Sequence, residues 1–250
     1  MSRSTALRAG EVRVYYARSE SPCVRQAASR LLGMLSPDER DRYARMHFEQ
    51  DRNSYLVAHA LTRGLLARLL GVAPRELVFA AGPHGRPELA RPVRRPPLRF
   101  NLSHTRGLVA CAVALETDVG VDVAHVRRAV RIEPLAARAL SAHERASFGA
   151  LPVPDRRRRF FELWTLKEAY LKAVGEGMAL PLQAVSLDLE HSPPRLQLHA
   201  PIQDDPGRWF LQLEPIADHH LLALAFGLPA PTSVTLRELP VEALATTAFS

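Results

Sequence analysis

Ser141-Ala142-His143-Glu144-Arg145 repeats, 105 positions later, the pattern of Ser36-Pro37-Asp38-Glu39-Arg40. Each pairs a Ser with a Glu three residues on, the signature of a helix capping box, and the first adds Pro at the opening helical position. Behind the first box, Leu56, Ala60, Leu61 and Leu65 recur at helical spacing between about Arg52 and Leu70, and Gly71 ends the run. Behind the second lies another long helical pattern, from the Arg156–Arg159 run through Lys172. Alternation marks strands in both halves: Glu11–Ala17, a hairpin of Leu98–Leu102 and Leu108–Leu115 around Ser103–Gly107, and Val119–Val123. Val185–Leu189, Arg195–Leu198, Trp209–Leu213 and His220–Phe226 complete the set. The pattern predicts an internal duplication, two α+β halves meeting near Glu116, with coincidence between two common capping boxes as the alternative. Arg237–Ser250 reads as a tail.

The 250 residues are 47% hydrophobic and 24% charged, which excludes a disordered or fibrous chain. Leu108–Leu115, the longest apolar run, falls far short of the ~20 residues of a membrane span. Met1–Gly10 has no apolar stretch behind Arg3 and Arg8, and two cysteines make no disulfide framework. The expectation is a soluble, cytoplasmic protein.

A net charge of +7 suits acidic partners such as nucleic acid, an anionic cofactor or an acidic protein. The dense runs, Arg91–Pro97 and Arg156–Arg159, lack the interleaved aromatics of a single-strand binding surface and read as solvated faces. Arginine supplies 31 of the 33 cationic side chains; the two lysines are Lys167 and Lys172, five positions apart. Codon bias explains such survivors. So does a site that wants a compact ammonium for a phosphate oxygen.

Three constellations could carry chemistry. In Val119-Gly120-Val121-Asp122-Val123 the valines share one strand face, and Gly120, Asp122 and Ala124 the other. An Asp there needs a partner, and Gly120 leaves room for a ligand; a salt bridge and a metal site are equally open. In Phe160–Val174, Glu168 and Lys172 lie four apart at the edge of an apolar arc, and Lys167 falls inside it. They form either a surface ion pair or a carboxylate for Mg²⁺ beside an ammonium for phosphate. Third, Phe100-Asn101-Leu102-Ser103-His104 ends a strand where hydroxyl, imidazole and backbone N–H groups could cradle an anion. No G-x-S-x-G elbow, P-loop, G-x-G-x-x-G, H-E-x-x-H or paired C-x-x-C is present, which disfavours the enzymes that use them.

Gly85-Arg86-Pro87, Phe100–His104, Val119–Asp122 and Trp164-Thr165-Leu166-Lys167-Glu168-Ala169-Tyr170-Leu171-Lys172, in this order, resemble the motifs of the Sfp-type 4′-phosphopantetheinyl transferases over roughly Glu11–Phe226. The resemblance implies an α+β fold of two similar, pseudo-twofold-related halves, each a small, mostly antiparallel sheet packed on a long helix. It implies residues 1–116 as a coenzyme A-binding half, 117–236 as a half with the metal and the catalytic helix, 237–250 as tail, and a site in the cleft between the halves. The implied activity is that of a holo-acyl-carrier-protein synthase. Coenzyme A donates its 4′-phosphopantetheine arm to a serine of an acidic acyl or peptidyl carrier protein, leaving adenosine 3′,5′-bisphosphate. Asp122 and Glu168 would bind Mg²⁺ or Mn²⁺, Lys172 would contact the pyrophosphate, and Glu168 would help deprotonate the serine. Arg42, Gly85, Arg86, Asn101, Ser103, His104 and Lys167 fall at coenzyme-binding positions. An internally duplicated chain could supply both sides of the cleft by itself, so a monomer acting without nucleic acid or membrane is expected.

The chain departs from the family at Ala124, where many members carry a second acid, and at Ala169, often Ser. Two carboxylates leave more of a Mg²⁺ shell to water, which that ion tolerates. The competing readings are a Mg²⁺-dependent nucleotide hydrolase and a basic nucleic-acid-binding protein.

Overall fold

The computed structural model describes residues 6–20, 22–176, 180–216 and 219–245. The chain divides into two units: residues 1–116 with 232–250, and residues 117–231.

The first unit opens with β1 (Glu11–Arg18), α1 (Cys23–Leu32), α2 (Pro37–Ala44) and the 22-residue α3 (Glu49–Leu70). A small hairpin, β2 (Val78–Ala81) and β3 (Pro87–Arg91), precedes β4 (Leu98–Thr105) and β5 (Leu108–Leu115). Both capping boxes expected from sequence are formed, and Ser36 accepts from the Glu39 N–H while Glu39 returns a bond to the Ser36 N–H. Gly71 ends α3 with φ of 69°, a left-handed turn that favours glycine. Leu56, Leu61 and Leu66 of α3 are wholly buried and join Val109, Cys111 and Val113 of β5 in one core. Removing any of these leucines from water is worth about 1.5–3 kcal/mol.

The second unit holds β6 (Val119–His125), α4 (Ile132–Ala139), α5 (Ala142–Ala150), the 22-residue α6 (Val153–Val174), the hairpin β7 (Val185–Asp188) and β8 (Arg195–Leu198), then β9 (Phe210–Ile216) and β10 (His220–Phe226). β10 lies between β6 and β9, antiparallel to both. α6 covers this sheet through Phe160, Leu166, Ala169, Tyr170 and Ala173, all completely buried.

After the second unit the chain re-enters the first. β11 (Ser233–Glu238) pairs in parallel with β1, completing the order β11-β1-β5-β4, and α7 (Val241–Ala245) follows. The expected tail from Arg237, and with it a second half running to 236, is thereby corrected. Leu239, Val241 and Leu244 are core residues of the first unit. Residues 246–250 of that expected tail lie outside the described ones.

The duplication extends to a buried ion pair in each unit. In the first, Glu39 of the capping box receives the Arg63 fork of α3, Nε at 2.6 Å and Nη2 at 3.0 Å, and Arg63 Nη1 donates to the Pro74 and Leu77 carbonyls. In the second, Glu144 of the other box receives Lys167 Nζ of α6 at 2.5 Å, and the same ammonium donates to the Ala139 and Leu182 carbonyls. A short capped helix is thus locked to a long one by the same device twice, once with a guanidinium and once with an ammonium.

Candidate active site

The candidate site forms where β6 passes under α6. Gly120, Asp122 and Ala124 share the face of β6 that meets the helix, as the alternation predicts. Gly120 serves the helix and not a ligand: a Cβ there would fall inside the backbone of Ala169 and Ala173. That correction explains the small residues on the facing side of α6, since glycine against alanine lets helix and strand backbones approach closely.

This approach brings Asp122 to the helix. Its carboxylate, 10% exposed, accepts from Lys172 Nζ at 2.6 Å. Glu168, one turn earlier on α6, is partly buried beside them. Burial pushes the Glu168 carboxyl above its ordinary value, the Asp122 charge adds to the rise, and Lys172 opposes it. Two carboxylates and one ammonium therefore share a site that carries one excess negative charge, an environment that a divalent cation would relieve. Ala124 brings no third carboxylate. Among the described residues no group of three or more His, Cys, Asp or Glu could by itself hold a metal ion. The donor set fits a cation that keeps part of its shell for water or phosphate oxygens.

The rest of the motif helix is held by its neighbours. Lys167, placed by sequence among coenzyme ligands, is fully buried with all three ammonium donors engaged inside the unit, so no donor remains for a phosphate. Burial pulls its pKa down, while Glu144 restores part of the loss. Tyr170 donates to Asp204, whose carboxylate also takes Trp209 Nε1 at 2.8 Å and Arg208 Nε at 2.9 Å. Glu144 was missed as a site-building residue, although the echo of its capping box was the available signal.

The first-unit candidates are spread over several elements. β4 runs on through Thr105 and does not stop at Leu102, so Ser103 and His104 face opposite ways, Ser103 buried and His104 exposed. The two side chains therefore leave β4 on opposite faces, and not together from a strand end. Asn101 is buried in the same strand. Gly85 takes φ of 78° in the turn between β2 and β3, where Arg86 O accepts from the Gly82 N–H. Arg42 sits in the last turn of α2 over the Tyr55 ring.

The arginine run at the start of α6 is engaged locally. Arg156 donates to the Leu151 and Gly149 carbonyls, Arg157 to those of Val126 and Val130, and Arg158 pairs with Glu162. No helix among the described residues is long and apolar enough to cross a membrane.

A family model described as the 4′-phosphopantetheinyl transferase superfamily matches residues 118–225, which include all three residues of the β6–α6 site. A second, described as 4′-phosphopantetheinyl transferase, N-terminal, matches residues 21–116. The 4′-phosphopantetheinyl transferase HetI of Nostoc sp. is 34% identical over 185 residues, covering 74% of this chain and 76% of that protein. The 4′-phosphopantetheinyl transferase Sfp of Bacillus subtilis is 24% identical over 195 residues, covering 78% and 84%. Among solved structures, the holo-acyl-carrier-protein synthase of Thermotoga maritima aligns at a TM-score of 0.37 and 28% identity, covering 44% of this chain and 62% of that one. The chain belongs to the 4′-phosphopantetheinyl transferase family. It is an enzyme of that class.

Proposed function

We propose that the protein transfers the 4′-phosphopantetheine arm of coenzyme A to a serine of an apo acyl or peptidyl carrier protein. The observation that carries this reading is the Asp122–Lys172 pair at 2.6 Å beside the half-buried Glu168, on the two elements that bear the family motifs. Asp122 and Glu168 would hold a divalent cation, Mg²⁺ or Mn²⁺, which when bound supplies charge neutralisation at the diphosphate. Lys172, whose side chain is 29% exposed, is the flexible cation of the site and can shift from Asp122 to a phosphate oxygen. Glu168, its carboxyl already raised by burial, assists removal of the serine proton. The serine Oγ then bonds to the β-phosphorus of coenzyme A, the phosphorus–oxygen bond to the nucleotide breaks, and adenosine 3′,5′-bisphosphate leaves. The residues of the first unit that carry the resemblance, Arg42, Arg86, Asn101, Ser103 and His104, with the Gly85 turn, are assigned to the coenzyme. A net charge of +7 steers an acidic carrier towards the enzyme.

The test is incubation with coenzyme A, Mg²⁺ and several apo carrier proteins, read by intact mass. A gain of one phosphopantetheine arm on a carrier supports the assignment. Release of the bisphosphate with every carrier unmodified would instead make the protein a hydrolase.

A further inference from the structure

A concentration of positive charge lies in the first unit and uses none of Asp122, Glu168 or Lys172. It is a pocket of about 170 Å³ whose charged lining is Arg86, Glu88, Arg94 and Arg99. Two of its guanidinium atoms, Arg94 Nη1 and Arg99 Nε, are buried from solvent and have no hydrogen-bond partner. Arginine is fully charged at any physiological pH, and a desolvated donor on it without an acceptor points to a bound water or ion that completes it. Glu88 is the one carboxylate in the lining, 3.9 Å from Arg99 Nη1. It faces Arg99, and the lining holds more guanidinium groups than carboxylates. Leu89 and Val93 add apolar wall.

We infer that this pocket binds a phosphate-type dianion, either free phosphate or a phosphomonoester on a small organic body. Planar guanidinium groups pair with phosphate oxygens through two parallel hydrogen bonds, and Arg94 and Arg99 each hold a donor in reserve for such an acceptor. Two buried donors without acceptors, in a lining richer in guanidinium than in carboxylate, suit a phosphate-type anion and not a neutral solute. The apolar wall favours an ester with an organic body. Arg86 also lines the pocket and is assigned above to the coenzyme, so the variants that isolate this site are Arg94→Gln and Arg99→Gln.

The experiment is thermal unfolding of wild type and the R94Q/R99Q double variant at constant ionic strength, titrated with inorganic phosphate and with phenyl phosphate. In wild type, Tm rises saturably with at least one probe, and the double variant loses that rise. A phenyl phosphate response at tenfold lower concentration identifies the ester as the ligand class; the reverse order identifies free phosphate. Without anion the double variant unfolds close to the wild-type Tm, because the one ion pair it removes, Arg99 with Glu88, is long and part-exposed. An equal rise in both proteins overturns the inference, as does a tenfold increase in KM for coenzyme A in the double variant, which would place these arginines in the coenzyme site. The titration needs no turnover, so it stands if transferase activity is not found.

Discussion

Lys167 and Lys172 are the only lysines of the chain, and the structure gives them opposite duties. Lys172 sits part-exposed on Asp122, whereas Lys167 is sealed in the second unit against Glu144. Lys167→Met leaves the Glu144 carboxylate buried without its counter-charge, and a loss of about 3–5 kcal/mol is expected in urea unfolding. Lys172→Ala is expected to cost less stability than Lys167→Met, since its ammonium is part-exposed, but to remove transfer, as does Glu168→Gln with the fold retained by circular dichroism; wild-type turnover in either would overturn the site. A third test concerns Glu39. Burial raises its carboxyl, but hydrogen bonds from His59, Arg63 and the Ser36 N–H outweigh it and hold the group at about 2, below the ordinary 4.5. The folded value being lower, this stability is present above pH 4.5 and disappears as pH falls towards 2. The Glu39→Gln variant is expected to be less stable at neutral pH and to show a flatter Tm profile across that window. Asp122 and Glu168 were readable as a pair because strand alternation and helical spacing are local rules. The duty of Lys167 was not, because its partner lies 23 residues away and its position inside the apolar arc fits both a buried pair and a ligand.

At the scale of elements, β6 packs tightly against α6. Gly120→Ala forces a methyl group into the helix backbone at Ala169 and Ala173, and neither element can yield without moving Asp122 from Lys172. A loss of about 3 kcal/mol or more and a fall in kcat are expected together, read by urea unfolding and by transfer rate. Elements with self-contained signals were legible: α3 with its left-handed Gly71, both capped helices, and β10 as a run of seven buried residues. Those that lean on distant partners were not. α1 starts at Cys23 without a side-chain cap, β2 is a short and mostly exposed strand, and β4 runs three residues further because Ser103, His104 and Thr105 find register against Ala110, Val109 and Leu108.

At the scale of the whole molecule, the least legible feature was the destination of residues 233–245. Val234 and Leu236 alternate as a strand would, but nothing local announces a parallel partner at Val12 and Val14 more than 200 positions earlier. Truncation after Pro231 is expected to strip β1 of its edge partner and to remove Leu239, Val241 and Leu244 from the first core, lowering Tm by more than 5 °C. The order of synthesis gives this pairing a further meaning. β1 precedes β11 by the whole second unit, so during synthesis the four-stranded sheet stays open along one side until residues 117–231 have emerged. The unit begun first is completed after the one begun second, and a nascent chain stalled before β11 would carry a finished β6–α6 pair together with an unfinished four-stranded sheet.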